Sequence, residues 1–401
     1  MKILMVNKFL YPRGGSESYM LSLGEKLSEM GHEVEYFGMF DEKNTVGNSA
    51  GQYTQNMDFH SRGFARFLYP FKILFSFEAK KKIGKVIDSF KPDVVHMNNI
   101  NFQLTPSIIY AVKKRKIPIV QTVHDYQMVC PNHLLYNFDK NEPCEECLHG
   151  SYISCLKNKC IHGSKVKSLL GIIEALIYRV LKTYKKVDLF ICPSYFLERK
   201  LLGTRKFYNG KTYTIHNFIN KDRFVPSASP AENYIVYVGR LSKEKGVRLL
   251  AETAAMTPEH TFKIVGSGPD EDMLPGHDNI KMMGFLTGDE LWQVMSHARL
   301  LLLPSVCFEN CPLSILEAHS MGIPVVTMNY GGMAELVKDG VTGNLAEDAT
   351  PESIAEKIRK IMEDDTYHAA LCSNCRKERE LIMSVEDYCA SLVKKYEELK
   401  N

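Results

Sequence analysis

Short apolar runs of strand length alternate with longer stretches of helical apolar spacing along the whole chain, and that alternation leaves few folds open. Strand-like runs lie at 2–6, 33–37, 94–97, 117–123, 189–192 and 212–215, then at 234–238, 261–265, 280–283, 300–303 and 324–327. Such strands need cover on both faces, and parallel neighbours need a crossover long enough to hold a helix. The expectation is an α/β protein with two doubly wound parallel sheets. Length agrees, since 401 residues exceed the size at which one hydrophobic core keeps growing. The stretch 217–233, with Pro226, Pro230 and small polar residues, has the composition of a linker between two halves.

Charge excludes one class of function. Fifty Lys and Arg against 47 Asp and Glu leave a net charge of +3, far from the basic excess of a dedicated nucleic-acid protein. No apolar run is long enough to span a bilayer. The first strand starts at Lys2, which leaves no room for a leader ahead of it, so the expected location is the cytoplasm. Two segments could still lie on an anionic membrane face: 61–90, where Phe, Leu and Tyr mix with Arg and Lys, and 165–186, apolar at helical spacing with basic ends. For both, the competing reading is a packed helix with snorkelling lysines.

Eleven cysteines in a cytoplasmic chain are expected to stay reduced. Cys130, Cys144, Cys147, Cys155 and Cys160 crowd into one polar segment with His133, His149 and His162, and Cys144-Glu-Glu-Cys147 has the spacing of a tetrahedral zinc site. A structural zinc held by Cys144, Cys147, Cys155 and Cys160 would order a segment that is poor in apolar periodicity. Cys130 or a histidine could replace one of the four.

Two motifs carry chemistry. In Glu309-Asn-Cys-Pro-Leu-Ser-Ile-Leu-Glu317 a carboxylate at the mouth of a loop is followed by a second on the apolar helical run behind it. Ionised carboxylates accept hydrogen bonds and donate none, so their partners are hydroxyl groups or cations, and a sugar and a ribose both fit. In Gly239-Arg240-Leu241-Ser242-Lys243-Glu244-Lys245-Gly246 two cations follow a strand at the edge where open α/β sheets bind ligands. Arg240 can grip phosphate oxygens in a fork, and Lys245 supplies a compact charge. A diphosphate is the expected occupant. Asp270-Glu-Asp272 has the letters of a metal-binding motif but follows Gly268-Pro269 and reads as the acidic start of a short helix.

Taken together, the glycine loop at Gly14 and Gly15, the Thr-Val-His-Asp segment ending at Asp125, the Arg/Lys loop, Val265-Gly266-Ser267-Gly268-Pro269, Gly284-Phe285 and the spaced glutamates resemble a retaining glycosyltransferase of family 4 over essentially the whole length. The resemblance implies a GT-B fold of two Rossmann-like halves facing across a cleft. Residues 1–217 would form the acceptor-side half, with a Cys-rich insertion at 130–163 and a crossing helix at 384–401. Residues 218–383 would form the donor half.

Site roles follow by analogy. Arg240 and Lys245 would stabilise the leaving diphosphate, Glu309 would bind hydroxyls of the donor sugar, and His124 would hydrogen-bond the transferred sugar. Gly14, Gly15, Gly266 and Phe285 would approach the nucleotide. Glu317 would hold the ribose. Cys311 and Pro312 stand where a Phe-Gly pair is usual, and Pro312 has no N–H to offer, so Leu313 and Ser314 become the better backbone donors of that stretch. Cys307 and Cys311 read as small packing residues. Catalysis would need no cofactor. The acceptor would be a carbohydrate or a lipid-linked saccharide, in envelope, capsular or exported polysaccharide assembly. A nucleotide-sugar epimerase on the same architecture and a non-catalytic nucleotide-sugar-binding scaffold are the competing readings.

Overall fold

The computed structural model describes residues 1–55, 74–229, 231–274, 276 and 278–400. Its contacts divide the chain into two units. Unit 1 comprises Met1–Leu135, Glu145–His216 and Val385–Asn401, and unit 2 comprises Tyr136–Cys144 and Asn217–Ser384.

Strands of unit 1 are β1 (Lys2–Val6), β2 (Glu33–Phe37), β3 (Val94–Met97) and β4 (Ile119–Thr122). A short antiparallel pair, β5 (Tyr136–Asn137) and β6 (Glu142–Pro143), then belongs to unit 2, before β7 (Leu189–Cys192) and β8 (Thr212–Thr214) complete the first sheet. That sheet runs in the order β2-β1-β3-β4-β7-β8 with every pairing parallel. The central strands β3, β4 and β7 are buried at every position, so they do not alternate apolar with exposed polar residues, and the polar side chains they carry, His96, Gln121 and Thr122, are buried with them.

Unit 2 holds β9 (Tyr234–Val238), β10 (Thr261–Val265), β11 (Ile280–Gly284), β12 (Leu300–Leu303), β13 (Val325–Met328) and β14 (Gly343–Ala346). Their order is β11-β10-β9-β12-β13-β14, again parallel throughout. The strand order reverses at β9, so its carboxyl end and that of β12 border a topological switch point, where such sheets bind ligands. β14 carries Gly-Asn-Leu-Ala, a weak strand sequence that no apolar run announced. Gly343 is required there because a Cβ would stand 1.9 Å from the carbonyl of Val325 on β13.

The last helix, Val385–Lys400, packs within unit 1 against the helix Gly15–Glu29. Tyr388 and Tyr19 share a hydrogen bond of 2.9 Å, and Tyr396 Oη lies 2.5 Å from His96 Nδ1. The other imidazole nitrogen of His96 meets Thr122 Oγ1 at 2.7 Å. A buried polar chain thus ties the end of the sequence to the centre of the first sheet. Among the described residues no helix is long and apolar enough to cross a membrane. Of the first membrane-surface candidate, residues 61–73 lie outside the described residues, and Phe77–Phe90 is an amphipathic helix.

Candidate active site

In unit 2 the chain leaves β9 through Gly239 and Arg240, and this turn is pressed against the loop after β10. Leu241 donates its N–H to Ser267 at 3.0 Å, and Asp270 donates to Leu241 at 3.1 Å. A Cβ on Gly266 would meet Gly239 O at 1.9 Å, and one on Gly268 would meet Leu241 O at 2.1 Å. Glycine is therefore demanded at both positions by the contact of two loops. The Asp270–Asp272 stretch is a single turn, Glu271–Met273 in 3-10 form, at the surface of the same loop.

After Ser242 the chain makes another 3-10 turn, Lys243–Lys245, and turns into the helix Val247–Met256 at Gly246. Gly246 has φ +75°, and a Cβ there would lie 1.9 Å from Pro304 O. This approach sets the turn beside the loop that follows β12, where Val306 donates to Glu244 O at 3.0 Å. The result is a specific pairing: Lys245 Nζ lies 2.5 Å from Glu309 Oε1, and Ser305 Oγ donates to the same oxygen at 2.7 Å. Backbone fixes the carboxylate further, because Gly332 N–H donates to Glu309 O at 2.7 Å and Tyr330 Oη donates to Ser305 O at 2.9 Å. Burial lowers the Lys245 pKa, but the adjacent Glu309 carboxylate outweighs it and holds the ammonium above its ordinary value. Arg240 is exposed at the end of β9 and enters no ion pair among the described residues, which leaves its guanidinium open to a ligand.

Glu317 sits on the helix Leu313–Ser320, which starts directly after Pro312. Burial pushes its carboxyl up to about 7, with Arg223 opposing the shift. Leu313 and Ser314 occupy the first turn, where N–H groups have no partner inside the helix. Cys311 is turned to structure, its sulfur accepting from Asn217 N–H at 3.3 Å and its carbonyl from Asn217 Nδ2 at 2.9 Å. Burial raises both neighbouring thiols, Cys311 to about 12 and Cys307 further, so both are protonated and unreactive at neutral pH. Phe285 follows Gly284 and is 65% exposed, an aromatic face left in solvent beside the end of β11.

One part of this site was invisible in the sequence. The hairpin Tyr136–Cys144 lies in the first half of the chain yet belongs to unit 2. Lys243 Nζ donates to Phe138 O, Tyr136 is 1% exposed, and its hydroxyl donates to Asn141 Oδ1 at 2.5 Å. Burial raises the Tyr136 phenol, helped by Cys307, Glu244, Tyr330 and Asp270, which places the ring among the loops that carry Lys245 and Glu309.

In unit 1, His124 stands just beyond β4. Its Nε2 hydrogen-bonds Asn98 Oδ1 at 2.9 Å, Tyr19 packs edge-on against the ring at 5.1 Å, and burial lowers its pKa to about 4. Burial thus holds the imidazole neutral, with its Nε2–H directed at Asn98. Gly14 and Gly15 open the helix Gly15–Glu29, where Asn99 Nδ2 donates to Ser16 Oγ and Asn7 Nδ2 to the buried Glu17. Cys147, Cys155 and Cys160 share one buried cluster with Tyr152 and Ile172, while Cys144 is half-buried. The Cys155 thiol is raised above its ordinary value by its hydrogen bond with Cys160, then by burial and by Cys147 and Cys130.

Comparison with known families decides the class. The model "Glycosyltransferase Family 4" matches residues 13–223, and "Glycosyl transferases group 1" matches residues 218–378. The chain belongs to glycosyltransferase family 4. The transferase is 24% identical over 353 residues to an uncharacterised 42.6 kDa protein of the cps region of Klebsiella pneumoniae, covering 84% of this chain and 87% of that one. It is 29% identical over 173 residues to WcaL of Escherichia coli, a putative colanic acid biosynthesis glycosyltransferase, covering 38% and 42% of the two chains. Among solved structures it superposes on sucrose-phosphate synthase of Thermosynechococcus elongatus with a TM-score of 0.71 at 18% identity, covering 99% and 98% of the chains. On Anabaena HepE in complex with UDP and glucose the TM-score is 0.68 at 19% identity, covering 98% and 99%. These neighbours establish the GT-B fold of the transferase.

Proposed function

We propose that this glycosyltransferase moves a sugar, with retention of configuration and without a catalytic metal, from a nucleoside diphosphate to a carbohydrate or lipid-linked acceptor in the assembly of an envelope or exported polysaccharide. The observation that carries the reading is the Lys245–Glu309 pair beside the exposed Arg240 at the carboxyl ends of β9 and β12. Departure of the diphosphate builds negative charge. One cation about 4 Å away supplies roughly 4 kcal/mol at an effective dielectric near 20, so Arg240 and Lys245 together account for a large part of the barrier reduction. Glu309, held by Lys245 and Ser305, has a second oxygen for the sugar hydroxyls. Glu317 takes the ribose, and the first-turn amides of Leu313 and Ser314 take the phosphate or sugar oxygens. Gly266 and Phe285 border the base. By the family resemblance, Gly14 and Gly15 let backbone approach the donor phosphate, and His124 hydrogen-bonds the transferred sugar.

The relatives support the biological setting, one from a cps region and one named for colanic acid synthesis, and HepE with bound UDP favours a UDP-sugar donor. The test is a transfer assay with a panel of nucleoside-diphosphate sugars in EDTA, the anomeric configuration of the product read by NMR. Inversion, or activity that EDTA abolishes and manganese restores, overturns the mechanism. Epimerised nucleotide sugar formed without acceptor overturns the reaction class.

Peripheral contact with the cytoplasmic membrane face fits the helix Lys165–Val180. It exposes Val166, Leu169, Leu176 and Val180 along one side and has lysines and arginine at its ends. Flotation with anionic liposomes tests it, and indifference to anionic lipid refutes it. We also place a structural zinc in the cysteine segment, on Cys147, Cys155 and Cys160 with Cys144 as the fourth thiolate. Thiols that raise one another when crowded are relieved by a divalent cation that binds the thiolate form. Elemental analysis that finds no stoichiometric zinc removes the idea.

A further inference from the structure

Unit 1 contains a cavity of about 410 Å³ that the donor chemistry does not use, bordered by the second half of the helix Lys165–Val180, the turn Thr183–Lys186 and the turn Lys206–Tyr208. Its volume is that of a small-molecule pocket. The interior is aromatic, with Tyr178, Tyr184 and Tyr208 on its walls at 2%, 8% and 1% exposure. Tyr178 Oη donates to Leu74 O, but the hydroxyls of Tyr184 and Tyr208 have no hydrogen-bond partner among the described residues. Neither oxygen is sealed from solvent, so two phenol groups on the wall of one cavity are available to hydrogen-bond a polar occupant.

Charge at the rim gives the occupant its sign. Arg179 and Arg205 are half-buried there, and Lys182, Lys185 and Lys206 are exposed beside them. Arg179 is oriented by donation to Gly150 O at 2.7 Å. The acidic residue on the wall, Glu174, is buried, accepts from Gln127 at 3.4 Å, and is pushed by burial up to about 8, so at neutral pH it is mostly uncharged and does not repel an anion. Cations outside and rings inside match a molecule with an anionic head and an apolar chain. The helix that supplies Arg179 and Tyr178 also carries the exposed apolar side described above, so the opening lies beside a surface suited to lipid.

We propose that this cavity binds a phosphate-bearing amphiphile, the phosphate held by Arg179, Lys182 and Arg205 and the start of the chain lying against Tyr178, Tyr184 and Tyr208. Only the occupant's role as the lipid-linked acceptor rests on the transferase reading; the binding itself does not.

The experiment titrates the full chain, by calorimetry below micelle concentrations, with octyl phosphate, octyl glucoside and inorganic phosphate. Octyl phosphate is expected to bind at least tenfold more tightly than either of the others. Lys182→Glu and Arg205→Glu should each weaken it at least tenfold, and Tyr208→Phe less. Affinity for nucleoside-diphosphate sugars, measured on the same variants, should not change, which also shows that they are folded. Equal binding of octyl phosphate and octyl glucoside, of octyl phosphate and inorganic phosphate, or indifference to both charge reversals overturns the proposal. Failure of every nucleotide sugar to bind, with octyl phosphate still bound, would instead count against the transferase reading alone.

Discussion

Lys245 and Glu309 are 64 positions apart in sequence and 2.5 Å apart in the fold, joined because Gly246 lets the first loop approach Pro304 and Ser305 completes the carboxylate's hydrogen bonds. The pair joins the loops that follow β9 and β12 in unit 2. Replacing Lys245 by Met should cut the transfer rate by about two to three orders of magnitude while circular dichroism stays native, since it removes one charge from the developing diphosphate and strands Glu309. A variant with full kcat would show that the cation does not act on the leaving group.

Gly246→Ala should damage the same pairing from the backbone. The residue has φ +75°, and the added methyl would meet Pro304 O at 1.9 Å, so the turn must shift. A loss of about 1–3 kcal/mol in denaturant unfolding, with a raised donor KM, is the expected result. Unchanged stability would mean that the loop tolerates the displacement.

Glu317 carries a pH dependence with a definite sign. Its folded pKa, about 7, is raised above the free carboxyl value of 4.5, so its charged form is disfavoured in the empty protein. Its contribution to stability is complete below pH 4.5 and is lost as pH rises through 7. Ribose hydroxyls prefer the ionised acceptor, so nucleotide affinity should climb between pH 6 and 8. Glu317→Gln should flatten that climb and make the empty protein more stable than wild type at pH 8 but not at pH 4. Thermal shift across pH, with and without nucleotide, measures both.

The hairpin Tyr136–Cys144 should matter to donor binding although its sequence precedes the rest of unit 2. Lys243→Met removes the donor to Phe138 O, at a cost of about 1 kcal/mol in loop placement. The expected effect is a roughly fivefold rise in donor KM with little change in kcat, and Lys243→Arg should restore most of it. Equal KM in wild type and Lys243→Met would leave the hairpin without a role in donor binding.

His96 and His124 are held neutral by burial, with pKa values lowered to about 3 and about 4. The unfolded chain takes up these protons near 6.5, so unit 1 should be at full stability above that pH and lose it progressively as pH falls toward the folded values. Tyr396→Phe, which breaks the contact with His96, should cost about 1–2 kcal/mol at neutral pH. Urea unfolding at pH 7.5 and pH 5 checks both.

Local pattern by itself determined the parallel sheets, because β3, β4, β7, β12 and β13 are buried along their whole length and are written as short, mostly apolar runs, while charges gather in the segments after β9 and β12. Arg240, Lys245 and Glu309, and Glu317 on the helix that follows, stood out as candidates for that reason. Four things were decided only by the tertiary structure: that β14 completes the second sheet, that the hairpin Tyr136–Cys144 joins unit 2, that Cys311 is committed to Asn217, and that Tyr184, Tyr208 and Glu174 line one cavity. Each depends on partners that are distant in the chain. Pairing by backbone hydrogen bonds and closure of empty space leave no periodic mark in a sequence, whereas burial of a strand does.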